Sequence, residues 1–181
     1  MNPRMIRNNV RVFNVPTGIR NNIVKITELD PGYRTIFYAN NFFPEGLSFR
    51  LPFPYVIFIE NPAKGGLQVG FRRTPLNPKK LNDNRPQIQL QGLKQSVHTP
   101  KLPNIATDLK VCIQNPYQRI TGAVQKYLPV RDNYYIDMFW NTQFTSSQLP
   151  LDWLSLPLGN ITTPKNFTKI TSSELTIDEI L

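Results

Sequence analysis

Alternating apolar and polar positions characterise the first 71 residues of the chain. Residues 10–15 and 67–71 alternate with a period of two, which is typical of strands with one buried face. Residues 55–59 are instead continuously apolar, and this pattern predicts a strand buried on both faces. A glycine-containing turn separates residues 55–59 from residues 67–71, so we expect these two segments to form a hairpin.

Turn-forming residues indicate how the other segments connect. Asp30-Pro31-Gly32 lies between two alternating segments, 23–27 and 33–38, and predicts a second hairpin because proline presets φ and glycine tolerates a positive φ. Residues 72–101 are polar and interrupted by prolines, with one predicted strand at 87–90. A last strand is predicted at 109–113.

The hydrophobic period changes after Pro116, which is a suitable first residue for a helix. Apolar side chains then recur at helical spacings of three and four, at Tyr117, Ile120, Val124 and Leu128. Thr176 and Glu179 have the spacing of a capping box, but only two residues follow them, so we expect a frayed helix or tail there.

The order of the elements, strands first and helices last, predicts an α+β fold built on an antiparallel β-meander with C-terminal helices. A length of 181 residues suits one domain. Within that domain we distinguish N-terminal strands (1–46), a core (47–144) and an irregular or helical extension (145–181).

The composition limits the kinds of site and the cellular location that we expect for this chain. The single cysteine cannot form an internal disulfide and fits a reducing compartment, and one cysteine with one histidine cannot form an ordinary zinc site. No pattern indicates a metal or another cofactor. The first 15 residues lack the apolar run of a signal peptide, and the most apolar stretch, 53–59, is too short to cross a bilayer. We therefore expect a cytoplasmic protein with no membrane partner.

The formal net charge of +9 favours an acidic partner. Residues 64–101 carry eight basic side chains against one acid, Asp83. This run is either a solvated loop, a docking surface for an acidic protein, or a nucleic-acid site with Phe71 or a tyrosine available for stacking. The candidate binding residues are Arg72, Arg73, Lys79, Lys80, Arg85, Lys94 and Lys101.

The segment 102–113 is the strongest candidate for chemistry. Asn104 follows a proline, and the only cysteine, Cys112, comes eight residues later. Cys112 is either a buried core thiol or a nucleophile whose thiolate takes and passes on an acyl group. Asn104 either donates to a developing oxyanion or holds the turn. His98, fourteen residues before the cysteine, is more typical of a surface histidine than of a catalytic base.

Pro103-Asn104-Ile105, followed by Cys112, resembles the active-site phrase of ubiquitin-conjugating enzymes. Residues 51–58 resemble the proline-punctuated strand of that family, and residues 139–144 are similar to a Trp-Asn-x-x-Phe segment of its divergent prokaryotic relatives, which include protein B of the PRTRC plasmid system. The chain departs from the family at three places. Leu102 replaces a histidine, Leu109 replaces a glycine, and strands replace the N-terminal helix.

The resemblance implies a ubiquitin-conjugating-like fold and a transferase that carries a ubiquitin-like protein as a thioester on Cys112, assisted by Asn104. It also implies an activating enzyme as the donor and a phage-borne or plasmid-borne gene. Two other functions remain open. One is a non-enzymatic basic module that binds nucleic acid or forms part of a phage-type assembly. The other is an inactive adaptor with the same fold.

Overall fold

The computed structural model describes residues 10–16, 23–39, 44–61, 67–81, 91–102, 104–106, 108–111, 136, 139–140, 143–145 and 158–181. These residues contain strands in two sheets and several short helices. The strands are β1 (Val10–Pro16), β2 (Ile23–Leu29), β3 (Gly32–Ala39), β4 (Leu47–Phe53), β5 (Tyr55–Glu60), β6 (Leu67–Arg72), β7 (Ser96–Pro100), β8 (Gln143–Thr145) and β9 (Thr171–Thr176). The helices whose full range is described are α1 (Pro78–Leu81), α2 (Ile177–Ile180) and two 3-10 helices (Leu158–Asn160 and Pro164–Ile170).

The larger sheet has the order β1-β2-β5-β6-β7-β9, and every neighbouring pair in it is antiparallel. The smaller sheet has the order β4-β3-β8, in which only the β3–β8 pair is parallel. The predicted α+β class with mainly antiparallel strands is therefore confirmed. The chain departs from a simple meander where β3 and β4 leave the larger sheet.

The hairpin predicted around Asp30-Pro31-Gly32 is wrong. β2 pairs with β1 and β5, whereas β3 pairs with β4 and β8, so this turn joins two different sheets. The Arg34 guanidinium fixes the corner by donating to the carbonyls of Asp30 (3.0 Å) and Gly32 (3.3 Å). The burial patterns give the reason. β2 is buried on both faces near its end, whereas β3 alternates and keeps one face in water.

The hairpin of β5 and β6 is confirmed, with Tyr55 opposite Arg72 and Glu60 opposite Leu67. The apolar run in β5 is buried on both faces, as predicted, and all of β6 is buried as well. Glycine at position 70 of β6 lets the Val97 side chain pack directly against the backbone, because the Cγ1 of Val97 occupies the place where a Cβ would lie. These two strands form the centre of the fold.

Two apolar clusters lie on opposite faces of the larger sheet. The first fills the space between the two sheets and is rich in aromatic rings, including Phe53, Phe58, Phe71, Phe139, Phe144 and Phe167. The second contains Phe13, Ile26 and Ile57 on the other face of the sheet, where α1 and α2 cover it with Leu81, Ile177 and Ile180.

The second half of the chain differs from its predictions at two places. The frayed helix or tail expected at the end is the helix α2, which is held in place because Thr176 and Glu179 form a complete capping box and Ile177 and Ile180 are buried. Residues 96–100 and 171–176 were not recognised as strands, yet β7 and β9 pair with each other. The predicted strand at 87–90 and the predicted helix after Pro116 lie outside the described residues.

In the described part of the chain, no helix is long and apolar enough to cross a membrane.

Candidate functional site

The site loop, residues 102–111, leads from the end of β7 to the residue before Cys112. It begins with a turn in which the amide of Ile105 donates to the carbonyl of Leu102 (3.2 Å). Asn104 lies within this turn at φ 69°, in the left-handed region that asparagine tolerates better than most residues. Asn104 therefore lies in a turn, as the Pro-Asn phrase predicts.

The remainder of the site loop closes on itself. The amide of Ala106 donates to the carbonyl of Lys110, and the amide of Leu109 donates to the carbonyl of Ala106, both at 2.9 Å. Ile105 and Val111 form an antiparallel bridge across the loop. Asn104 and Val111 are thereby held at the same end of a small hairpin-like structure.

The site loop is attached to β6, the central buried strand. The amide of Val69 donates to the carbonyl of Leu109, and the amide of Val111 donates to the carbonyl of Leu67, both at 2.9 Å. The side chain of Gln68 also donates to the carbonyl of Asp108 at 3.2 Å. In residues 109–111 the predicted strand is reduced to isolated bridges, because Leu109 adopts a left-handed φ of 67° that no regular strand contains.

The two proposed catalytic residues stand differently in the structure. Asn104 is buried, with an exposed fraction of 3%. Its burial and left-handed backbone account for asparagine at this position through a role in holding the turn. Cys112 lies outside the described residues, which end one residue before it, at Val111.

Charge on the site loop is locally balanced. Lys110 Nζ lies 3.0 Å from Asp108 Oδ2, and both side chains are about half exposed. Burial acts to raise the pKa of Asp108, but hydrogen bonds from the side chain and backbone of Lys110 outweigh it, so the pKa lies below its ordinary value. The basic side chain closest in sequence before Cys112 is thus ion-paired.

The left-handed backbone and buried side chain of Leu109 predict how substitutions at this position change stability. Replacing Leu109 by Ala should cost about 2–5 kcal/mol of unfolding free energy, because its side chain is fully buried in the second cluster. Leu109→Gly should cost less than Leu109→Ala by about 1 kcal/mol, since glycine removes the left-handed strain of about 1–2 kcal/mol. Urea unfolding of both variants measures the difference. If the glycine variant is the less stable of the two, the left-handed assignment is wrong.

The basic candidates occupy different environments. Arg73, Lys79 and Lys94 are exposed, and Lys80 and Lys101 are partly exposed. Arg72 is 9% exposed, and its guanidinium donates to the carbonyls of Ser96 and Thr74. Arg72 is therefore a structural cation, and it does not lie on an open binding surface. Arg85 lies outside the described residues.

The exposed basic residues near α1 are brought together by backbone packing. An added Cβ on Gly92 would lie 2.9 Å from the carbonyl carbon of Lys80, so the segment before Lys94 runs directly against α1. The amide of Asn77 also donates to Gln95 Oε1 at 2.8 Å. The same region carries acids, because the amide of Ile177 donates to the Gln95 carbonyl and so places α2, with Asp178 and Glu179, beside it. The surface is of mixed charge.

A buried ionic network, which the sequence patterns did not reveal, lies at one end of the larger sheet. Glu28 has a fully buried side chain, is ion-paired with Arg11 on the adjacent strand, and accepts a 2.5 Å hydrogen bond from the amide of Leu76. Burial raises the pKa of Glu28, whereas the Leu76 amide and the charges of Arg11 and Arg72 partly offset that rise. The available signal was a glutamate close to Ile26 and Leu29, near the end of the predicted strand.

The remaining questions about the site concern a catalytic role for His98 and the binding of a metal ion. His98 lies in β7 opposite Phe71 and is partly exposed. Among the described residues, no group of three or more histidine, cysteine, aspartate or glutamate side chains could hold a metal ion. No family model, curated protein or solved structure matches this chain in the comparisons with known proteins.

Proposed function

We propose that the protein is a thioester carrier with a ubiquitin-conjugating-like fold, in which Cys112 receives a ubiquitin-like protein from an activating enzyme. The observation that carries the proposal is the left-handed conformation of Leu109. The resemblance places a glycine at this position, and a left-handed φ is the conformation that favours glycine. A loop with the same backbone requirement would explain the shared spacing despite the different residue.

The hydrogen bonds of the residues just before Cys112 also favour this function. The site loop is hydrogen-bonded to the central strand β6 up to Val111, so the chain is held in place as far as the residue before Cys112. A nucleophile needs such a fixed origin, because a displacement of about 1 Å can lower a reaction rate about 100-fold. Asn104, buried in the turn, is proposed as a positioning residue for this loop.

The proposed reaction is an exchange of thioesters followed by transfer to an amine. The Cys112 thiolate attacks the thioester carbonyl of the donor, a new C–S bond forms, and the donor thiolate leaves. An acceptor amine then attacks the Cys112 thioester, loses a proton and releases the Cys112 thiolate. No oxidant, reductant or metal is required by this sequence of steps.

Because the chain has one cysteine, the proposal can be tested without background from other thiols. The probe is ubiquitin with a C-terminal mercaptoethanesulfonate thioester, which needs no activating enzyme. We expect an adduct that dithiothreitol cleaves. Cys112→Ser should either form no adduct or form an ester that resists dithiothreitol, and Cys112→Ala should form none.

A second measurement keeps the test independent of the choice of ubiquitin. Reaction of the folded protein with 5,5′-dithiobis(2-nitrobenzoate) should proceed without denaturant, and its pH profile gives the thiol pKa, which is near 8.5 for an unperturbed cysteine. A thiol that reacts only after unfolding would contradict the carrier function. An accessible thiol that accepts no acyl group would contradict it as well and would favour the adaptor.

A further inference from the structure

The smaller sheet has an outer face that points away from the first cluster. Among the side chains that the structure describes, its exposed members are Tyr33, Thr35 and Phe37 of β3 together with Ser48 and Arg50 of β4. All five are exposed, and two of them are aromatic: Tyr33 is 59% exposed and Phe37 is 40% exposed. Strand alternation puts the intervening residues, such as Ile36 and Leu51, into the core.

Tyr33 is held in place although it is largely exposed. Its hydroxyl donates to the carbonyl of Thr162 at 3.2 Å, and the guanidinium carbon of Arg50 lies 5.2 Å from its ring centroid. Both contacts restrict the ring. An exposed aromatic side chain fixed in this way loses little conformational entropy when a flat ligand stacks on it.

Phe37 is also positioned by its surroundings. Its ring fills the space above Gly46, where any Cβ would collide with it, and Gly46 has a φ of 81° that suits glycine. Tyr33 and Phe37 are four residues apart on one strand, so their attachment points lie about 13 Å from each other. The outer face thus presents two fixed rings in a row.

Charge on the outer face suits an anionic ligand. Arg50 is its only charged side chain among the five residues, and the whole chain has a net charge of +9. Lys165 is exposed and lies three residues after Thr162, whose carbonyl accepts the hydrogen bond from the Tyr33 hydroxyl. Flat rings beside a guanidinium match a ligand that combines aromatic faces with phosphates.

We propose that the outer face binds single-stranded nucleic acid, with one base stacked at Tyr33, another at Phe37 and a phosphate near Arg50. A duplex keeps its base faces stacked inside the helix, so the single-stranded form is the one that fits exposed rings. Phe71, which the sequence offered for stacking, is 1% exposed and cannot take that role. The proposal does not depend on thioester chemistry.

Fluorescence polarisation with fluorescein-labelled (dT)20 and (rU)20 tests the proposal. Tyr33→Leu keeps an apolar side chain but removes the ring, and binding should weaken about 5- to 150-fold. Tyr33→Phe keeps the ring and should bind like the unchanged protein. Arg50→Gln should reduce the slope of log K against log salt by about 0.7, the value for one phosphate contact on a single strand. Lys25→Gln, on β2 of the larger sheet, is the matched control and should change neither quantity. Lys79→Gln tests the basic surface near α1 instead.

A photocrosslink provides a readout that a general loss of folding cannot imitate. An oligonucleotide that contains 5-iodouracil should crosslink to the peptide that holds Tyr33, and circular dichroism should show that each variant is folded. Three outcomes would overturn the proposal. They are binding weaker than about 10⁻⁴ M at physiological salt, binding that Lys79→Gln reduces and Tyr33→Leu does not, and a crosslink confined to another surface.

Discussion

Replacing Phe53 by Ala should lower the free energy of unfolding by about 3–5 kcal/mol. The Phe53 side chain is fully buried between the two sheets. Its ring centroid lies 4.7 Å from that of Phe167, 5.2 Å from that of Trp140 and 5.7 Å from that of Phe71. Truncation therefore removes the apolar contacts of one side chain, two edge-to-face ring pairs and one tilted pair, and it leaves a cavity at the point where both sheets meet.

Chemical denaturation followed by circular dichroism measures this loss. Phe53→Leu, which fills more of the space, should cost less than the alanine variant. Val12→Ala is a control that truncates a side chain 47% exposed on the edge strand, and it should change the stability by no more than about 0.5 kcal/mol. A Phe53→Ala variant as stable as the Val12→Ala control would show that the sheets do not pack through this ring.

Arg72→Met should destabilise the protein by about 3–5 kcal/mol at neutral pH, because it removes one partner from a buried polar network. Methionine keeps most of the volume but cannot donate to the carbonyls of Ser96 and Thr74. It also removes a positive charge that acts on the buried carboxylate of Glu28. Arg73→Met is the matched control, since Arg73 is adjacent and exposed, and it should change the stability by no more than about 0.5 kcal/mol.

The cost of Arg72→Met should depend on pH in a defined direction. The pKa of Glu28 is raised by burial above its ordinary value of 4.5, so folding favours the protonated form of this carboxyl. Its contribution to stability is present below pH 4.5 and is lost as the pH rises through the folded pKa. Without Arg72 that pKa rises further, so the variant should lose more stability than the unchanged protein between pH 4.5 and neutrality.

Unfolding curves recorded across this pH range provide the check. The difference in stability between Arg72→Met and the unchanged protein should be smaller near pH 4.5 than at neutral pH. A difference that stays constant with pH would mean that Glu28 and Arg72 are not coupled, and the loss would then come from the hydrogen bonds to Ser96 and Thr74 alone.

Hydrophobic patterning predicted the strands of the first half of the chain well, and the reason is local. β5 can be recognised because both of its faces are buried and its residues are therefore continuously apolar. Its hairpin partner β6 follows after only a few residues of the chain. The same approach failed for β7 and β9. β9 is an edge strand of mostly polar residues, and β7 contains a histidine and a proline, so neither carries a clear two-residue period.

The site loop shows a similar division. The Pro-Asn phrase predicted a turn, and Asn104 indeed has a left-handed backbone within it. That Leu109 shares this conformation could not be predicted, because a leucine adopts it only when tertiary contacts compensate the strain. Here the hydrogen bond from Val69 to the Leu109 carbonyl and the burial of the Leu109 side chain supply those contacts.

The amino-acid sequence by itself determined the strands in the first half of the chain, the hairpin of β5 and β6, the turn at Asn104 and the net positive charge, since these depend on neighbouring residues and composition. Only the tertiary structure decided how β2 and β3 pair. Asp30-Pro31-Gly32 turns the chain equally well into a hairpin or into a second sheet, and long-range burial made the choice. The same packing buried Arg72 and left Arg73 in water, although the two adjacent arginines look alike in the sequence.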